Sequence, residues 1–411
     1  MSNWVTTTVR ELVENQIIER PMDGNHGSIH PKSSDYVEDG IPFIMASDIS
    51  NGKIDFTNCA KITKEQALKL RKGFSKSGDV LLTHKGTLGL TAIVPNLKTD
   101  FIILTPQVTY YRVIDRTKLN NRYLYYYFQT PYFQQLLKNW AGSGSTRAYI
   151  GITDQLNLSI TLPPINVQEK ISEILGSLDD KIELNRRMNE TLEQMAMAVY
   201  KHWFVDFGPF QDGELEDSPI GAKPKNWDVA KLRDLIELAY GKALKAEDRK
   251  GGPYPVYGSS GVVGWHNEYI ADGPGIIVGR KGNIGTVHLS HTGFYPIDTT
   301  YYVKSNLPDL NPVYYFYYLL QSLGLSHMNN DSAVPGLNRE TVYNLDIVIP
   351  PNDLICEFDS KVEIFHMQIN QNNSEIDQLS KVRDYLLPRL LSGEIEVREA
   401  EEQVEEVLAN A

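Results

Sequence analysis

The strongest constraint on this chain is that it repeats itself. "NWVTTTVRELVE" (3–14) matches "NWDVAKLRDLIE" (226–237) at an offset of 223 residues. "DVLLTHKGTLG" (79–89) matches "GIIVGRKGNIG" (275–285) at 196, and "LNLSITLPP" (156–164) matches "YNLDIVIPP" (343–351) at 187. A repeat of this length is a structural unit used twice. The order it implies is globular segment, helix, globular segment, helix. Length differences between related units fall in surface loops, so the shrinking offset describes one scaffold carrying two different sets of loops. Two related readers of two different things are expected.

Within each unit, short β-rich runs such as "GDVLLT", "LTAIVP" and "PQVTYYRVI", or "GIIVGR", "GTVHLS" and "TTYYVKS", alternate with Gly, Pro and Asn punctuation. Each set is followed by an aromatic stretch, "NRYLYYYFQTPYFQQLLKNW" and "NPVYYFYYLLQSLG", read as helix. Such a stripe could stack bases, but aromatics at helical spacing more commonly face a core, and the core reading is preferred.

The helices that follow carry heptad seams. Positions 171, 175, 178, 182, 185, 189, 192, 196 and 199 hold Ile, Leu, Leu, Ile, Asn, Asn, Leu, Ala and Val; the later copy runs Phe358, Val362, Phe365, Ile369, Asn372, Ile376, Leu379, Arg383 and Leu386. Pro163–Pro164 and Pro350–Pro351 precede them, where a missing N–H costs nothing. An Asn on a seam lowers stability but fixes register. Asn185, Asn189 and Asn372, with Leu178, Ile182, Phe365 and Ile369 beside them, therefore point to pairing of the two helices in one register. The alternative is that each helix turns its Asn to solvent. At 1.5 Å per residue these are spacers of about 55 Å, and antiparallel pairing would put the globular units at opposite ends about a pseudo-twofold axis.

Composition excludes several classes. At 411 residues the chain exceeds one core. No apolar run reaches the ~20 residues of a membrane span, and "MSNWVTTTVRELVENQ" lacks the pattern of a secretory signal. Cys59 and Cys356, the two cysteines, form no ligand spacing or disulfide framework, so a cytoplasmic location is expected. The net charge of −12 argues against a polyanion partner until it is divided. Residues 1–165 carry 18 Lys+Arg against 14 Asp+Glu, net +4; residues 212–350 carry 12 against 16, net −4. Residues 351–411 carry 5 against 14, net −9, mostly in "SGEIEVREAEEQVEEVLANA".

Several phrases carry a family resemblance: "LPPINVQEKISEILGSLDDKIELNRRMNETLEQMAMAVYKHWFVDF", "YLLPRLLSGEIEV", "YPVYGSSGVVGWHNEYI", "GPGIIVGRKGNIG", "YPIDTTYYV" and "DGNHGSIHPKSSDYVEDGIPFIMASDI". With the repeat order they resemble the DNA-specificity (S) subunit of type I restriction–modification systems over nearly the whole chain. The resemblance implies an α+β fold: two β-rich target-recognition domains separated by two long helices that pair as an antiparallel coiled coil, in a pseudo-twofold internal repeat. The boundaries expected are 1–163 and 207–350 for the recognition domains, 164–206 and 351–391 for the spacer helices, and 392–411 for an acidic tail. Each domain would read one half of a bipartite, asymmetric double-stranded DNA site. The helices would set the spacing and dock two methyltransferase (M) subunits, which use S-adenosylmethionine; two restriction/translocase (R) subunits complete the enzyme. The chain itself would be non-catalytic, with no cofactor or metal. The residues agree, showing no Walker A loop, Gly-rich cofactor fingerprint, metal-ligand motif or nucleophile elbow. A rival reading is a non-catalytic two-module protein–protein adaptor, which the acidic balance allows.

DNA contact needs cations for phosphates and forked side chains for base edges. "THKGTLG" sets Lys85 in a glycine-flanked turn and "GRKGNIG" sets Arg280, Lys281 and Asn283 in its counterpart. A simple strand-connecting turn is the plain alternative, yet the coincidence in both repeats favours a shared role in backbone contact. His30 and Lys32, in "GNHGSIHPKSS" where the offset changes most, are candidates for base reading. Arg147 and Tyr149, in "GSGSTRAYIG", have no cationic counterpart and can equally be solvated loop residues. His202 and Trp203 fit packing or docking better than catalysis.

Overall fold

The computed structural model describes residues 3–141, 148–328 and 336–409. They form two compact units, Met1–Glu183 with Glu375–Ala411, and Leu184–Ser374. The division falls inside each long helix rather than at its ends, because each half-helix buries its seam in a different core.

In the first unit, the strand Val5–Thr8 pairs antiparallel with Ser159–Leu162, Val5 facing Leu162. In the second, Asp228–Lys231 pairs with Asp346–Ile349, Asp228 facing Ile349. These are the positions that the 223 and 187 offsets relate, so the ribbon closing each globular repeat has the same register in both. Each ribbon ends where a Pro-Pro pair starts a long helix.

A four-stranded antiparallel sheet recurs as well. Its order is Met22–Asp23, Val108–Tyr111, Val80–Lys85, Thr87–Ile93 in the first unit and Ile236–Tyr240, Thr300–Ser305, Gly275–Gly279, Val287–Ser290 in the second. Val80, Leu81 and Leu82, like Ile276, Ile277 and Val278, are buried in succession on both faces of the strand, which is why this run reads as continuous rather than alternating hydrophobicity. The other sheet differs: four strands around Tyr36–Ile44 in the first unit, three around Tyr254–Gly258 in the second. That is where the repeat offsets change.

The aromatic stretches are helices, Asn121–Gln129 and Pro131–Trp140 in one unit and Val313–Ser322 in the other. Tyr123, Tyr126, Phe128 and Phe133, and Tyr315, Phe316 and Tyr318, are fully buried. The stripe is core. The acidic tail is also more ordered than its charge implies: Val397–Ala409 is a helix whose Ala400 and Val404 join the first unit's core. With Val397 and Leu408 half-buried beside them, the three- and four-residue spacing makes one apolar stripe under a glutamate-rich surface.

The long helices, Ile165–Phe204 and Asn352–Ser392, have 40 and 41 residues. In the first unit, Ile171, Leu175, Leu178 and Ile182 share a core with Leu379, Leu386 and Leu390. Lys181 pairs with Glu375 at 3.0 Å and Asp179 with Arg383 at 3.0 Å, so the half-helices run antiparallel. In the second unit, Ala196, Tyr200 and Phe204 pack with Ile355, Phe358 and Val362, the Tyr200 and Phe358 rings 5.8 Å apart. Ile369 is buried and Phe365 is half-buried against this core. The Asn372 amide donates to the Asn189 carbonyl oxygen at 2.8 Å, and the Asn189 amide to Asn373 at 2.9 Å. Asn185 differs. It is 1% exposed and its amide nitrogen has no hydrogen-bond partner among the described residues. A buried donor left unmade costs about 1–3 kcal/mol. Asn185→Leu should therefore raise the unfolding midpoint in denaturant, whereas Asn372→Leu, which strips the Asn189 carbonyl of its donor, should lower it. Midpoints that move together would refute the distinction.

The second unit also buries a polar chain. The Tyr318 hydroxyl donates to Glu193 at 2.9 Å, and His366 Nε2 lies 2.9 Å from the same oxygen. With the Tyr318 proton committed to Glu193, His366 must be the Nε2–H tautomer, leaving Nδ1 bare and without a partner among the described residues. Tyr314, Tyr317 and His291 surround the ring. Burial and His291 push its pKa down to about 3. A folded pKa below the ordinary 6.5 means the unfolded chain binds the proton first, so this contribution is complete above pH 6.5 and fades as pH falls towards about 3. Asp359, raised to about 6 by burial, acts in the opposite direction. The stability difference between wild type and His366→Gln, in which the Asp359 effect cancels, should fall by roughly 2 kcal/mol between pH 6.5 and 4.5. Thermal unfolding against pH reads it, and a pH-independent difference would show that the histidine takes up its proton in the fold as readily as in the unfolded chain.

Candidate nucleic-acid interface

The glycine-flanked turns occupy the same place in both units. The strand Val80–Lys85 ends in His84-Lys85-Gly86 and the strand Gly275–Gly279 leads into Arg280-Lys281-Gly282. His84 N–H donates to the Gln107 carbonyl at 2.9 Å, and Arg280 N–H to the Thr299 carbonyl at 2.9 Å. The carbonyl of His84 accepts from Ile150 N–H at 3.0 Å, and that of Arg280 from Leu337 N–H at 2.9 Å. Gly86 and Gly282 have φ of 79° and 80°, a left-handed conformation that a side chain disfavours. A Cβ on Gly86 would meet nothing within 4 Å, so that glycine answers to backbone conformation and leaves its turn open.

The candidate cations differ in how they are held. Lys85 is half-buried and forms a β-bridge with Tyr149, its ammonium 5.7 Å from the half-exposed ring. These two residues, far apart in sequence, are brought together. Lys281 and Asn283 are exposed, and Asn283 N–H donates to the Ser259 hydroxyl at 3.3 Å. Arg280 lies over two rings, 4.8 Å from the centre of Tyr240 and 5.8 Å from Tyr301, and donates from Nη1 to the Asp298 carbonyl at 3.2 Å. Lys32 is exposed and begins a turn in which Asp35 accepts its backbone N–H at 2.7 Å. His30 turns inward, with Nδ1 3.0 Å from the Asn25 carbonyl oxygen and its ring 5.4 Å from Phe43. Arg147 lies outside the described residues. Trp203 packs on Phe204 and Phe358.

Some neighbours of these residues had no signal of their own in the sequence. Buried Asp23 holds the Lys72 ammonium and, at 3.1 Å, His26 Nε2. His84, directly before Lys85, is buried behind them. Its Nδ1–H donates to the Ile150 carbonyl at 2.9 Å, and its Nε2, without a hydrogen-bond partner among the described residues, is 4.0 Å from Asp23. Burial holds its pKa below the ordinary histidine range. The repeat alignment, which sets His84 opposite Arg280, was the one available clue. Tyr240 and Arg339 also escaped, being joined to Arg280 only by the fold: the Arg339 guanidinium lies 5.1 Å from the Tyr240 ring centre.

Among the described residues no group of three or more His, Cys, Asp or Glu is placed to hold a metal ion. No helix is long and apolar enough to cross a membrane.

The comparisons agree with one another. A family model described as "Type I restriction modification DNA specificity domain" matches residues 1–194 and 224–376, one match per repeat. The MjaIX specificity subunit of Methanocaldococcus jannaschii is 28% identical over 402 residues, covering 90% of each chain. The HindI specificity subunit of Haemophilus influenzae is 24% identical, over 96% of this chain and 100% of the relative. The crystal structure of a type I restriction–modification S subunit from M. genitalium superposes with a TM-score of 0.54 at 18% identity, covering 94% of this chain and 96% of that one, a likeness of fold. The repeated sheet, the paired helices and both matched segments lead to one conclusion: this chain belongs to the type I restriction–modification DNA-specificity family, as a non-catalytic subunit that confers DNA-sequence specificity.

Proposed function

We propose that each unit reads one half of a bipartite, asymmetric site on double-stranded DNA, and that the paired helices set the gap between halves and dock two methyltransferase subunits. S-adenosylmethionine would be bound by those subunits and not by this chain. Two restriction/translocase subunits would complete the enzyme, working on double-stranded DNA in the cytoplasm. One observation carries the reading. Both units present a cation-bearing glycine turn, closed by the same backbone hydrogen bonds, on scaffolds whose other loops differ. The shared part suits what all DNA has in common, the phosphate backbone; the divergent loops suit two different base sequences.

Lys281 is the residue to test. In the assembled complex, Lys281→Ala should weaken binding to all duplexes alike and lower the slope of log affinity against log salt by about one. A changed sequence preference with the wild-type slope would make it a base reader. A protein–protein adaptor would show no steep salt dependence on DNA at all.

The ruler role is tested by adding one heptad to each long helix at matched positions, which preserves the seams. The addition lengthens the spacer by about 10.5 Å at 1.5 Å per residue, or about three base pairs at 3.4 Å each. It also rotates one half-site by roughly 100° on a duplex of 10–10.5 base pairs per turn, so activity should fall. Methylation that remains should map to the same half-sites with a wider gap. An unchanged gap would assign the spacing to the globular units or the methyltransferase subunits instead.

A further inference from the structure

The second unit has to bind a polyanion while its globular segment is itself acidic, with 12 Lys+Arg against 16 Asp+Glu over residues 212–350. One place in it runs against that background. Tyr240, the last residue of its strand and 51% exposed, has two guanidinium groups on its ring: Arg280 at 4.8 Å and Arg339 at 5.1 Å from the centre. Two further rings back them, Tyr301 at 5.8 Å from Arg280 and Tyr343 at 5.5 Å from Arg339.

Stacking fixes the plane of a guanidinium without consuming its N–H donors, which lie along the edge of that plane. Arg280 commits Nη1 to the Asp298 carbonyl. Among the described residues neither Arg280 nor Arg339 forms an ion pair. Their neighbour Arg233 shows the ordinary alternative: it too lies on Tyr343, at 5.8 Å, but is matched by Glu340 at 3.3 Å. Arg280 and Arg339 are thus cations sharing one ring and, among the described residues, lacking a carboxylate, with exposed Lys281 next in sequence to Arg280.

Placed 4.8 and 5.1 Å from one ring centre, the two like charges are at most about 10 Å apart, near the screening length, and raise each other's energy. An anionic oxygen arriving between or beside them relieves that repulsion, and a guanidinium edge matches phosphate geometry in paired hydrogen bonds. A neutral base edge offers hydrogen bonds but no relief of charge. The repeat adds a second point. By strand register Tyr240, which faces Tyr301, stands where Asp23 faces Thr109, and at the offset of 187 Arg339 corresponds to Ile152, so the first unit, net +4 over residues 1–165, has neither the ring nor the second arginine. The acidic unit carries the additional cation.

We infer that Tyr240, Arg280 and Arg339 form a phosphate clamp particular to the second unit, which anchors it on the DNA backbone beside the bases it reads. This rests on the DNA-binding reading above. The test uses the full chain assembled with its methyltransferase subunits, titrated with a duplex carrying its site and with an unrelated duplex from 50 to 200 mM salt. Arg339→Ala should lower the salt slope by about 0.9, so that binding loses about threefold less across that range, equally on both duplexes. Its methylated sequence should be unchanged. Arg339→Lys should keep the wild-type slope. Tyr240→Leu should weaken binding severalfold on both duplexes, while Tyr240→Phe, which keeps the ring, should not. A wild-type slope in Arg339→Ala overturns the clamp, and so does a changed sequence at one half-site, which would make Arg339 a base reader. If Lys281→Ala lowers the slope while Arg339→Ala does not, only the clamp fails. If the wild-type complex shows no salt-dependent DNA binding, the DNA-binding reading fails and the clamp with it.

Discussion

The structure depends on how two long helices bury their seams. Neither helix finishes its burial in one core: Ile171, Leu175, Leu178 and Ile182 are covered by Leu379, Leu386 and Leu390, whereas Ala196, Tyr200 and Phe204 are covered by Ile355, Phe358 and Val362. The first unit therefore needs residues from both ends of the chain, Met1–Glu183 and Glu375–Ala411, with the whole second unit inserted between them. Closing so long a loop costs only slowly growing entropy, but it postpones the first core until the last residues are made. Contacts of that sequence separation slow folding. The terminal helix Val397–Ala409 belongs to the same late step, since Ala400 and Val404 complete the first unit's core.

On this frame, duplication and divergence are divided by element. The closing ribbon and the four-stranded sheet keep register and strand order in both units. The turn after the central strand keeps its left-handed glycine and its backbone hydrogen bonds. What changes is the second sheet, and the side chains around the turn: His84, buried over Asp23, in one unit and Arg280, stacked on Tyr240, in the other. A scaffold fixed in its backbone and free in its side chains is what two readers of different sequences require.

Much of this was legible in the sequence for a physical reason: periodicity reports burial. The seams, the aromatic helices and the repeat itself are patterns in one dimension. Lys85 and the Arg280–Asn283 turn were legible because they recur. The rest depends on the third dimension. Asn185 and Asn189 are four residues apart on one seam, yet one amide is orphaned and the other is bonded across to Asn372; spacing cannot tell them apart. The apolar stripe of Val397–Ala409 was present but masked by glutamates. Asp23, Lys72 and His84 meet across strands, and Tyr240, Arg280 and Arg339 across a hundred residues, with no local period to mark them.

Charge shows most clearly why composition alone misleads. A net −12 describes the chain at distances its ligands never sample, because screening confines exposed charges to within about 8–10 Å at physiological salt. Within that radius what matters is whether a cation is already matched. In the second unit Lys223, Lys225, Lys231, Arg233 and Lys304 each sit within ion-pair distance of a carboxylate. Arg280, Lys281 and Arg339 do not, among the described residues. Lys170 of the first long helix is similarly matched by Glu401 of the acidic terminal helix, at 3.5 Å. Much of the acidity is thus spent on cations elsewhere, while three cations without an ion pair among the described residues, Arg280, Lys281 and Arg339, gather at the repeat's glycine turn and beside it. An acidic protein can face a polyanion provided that its carboxylates are kept occupied away from that face.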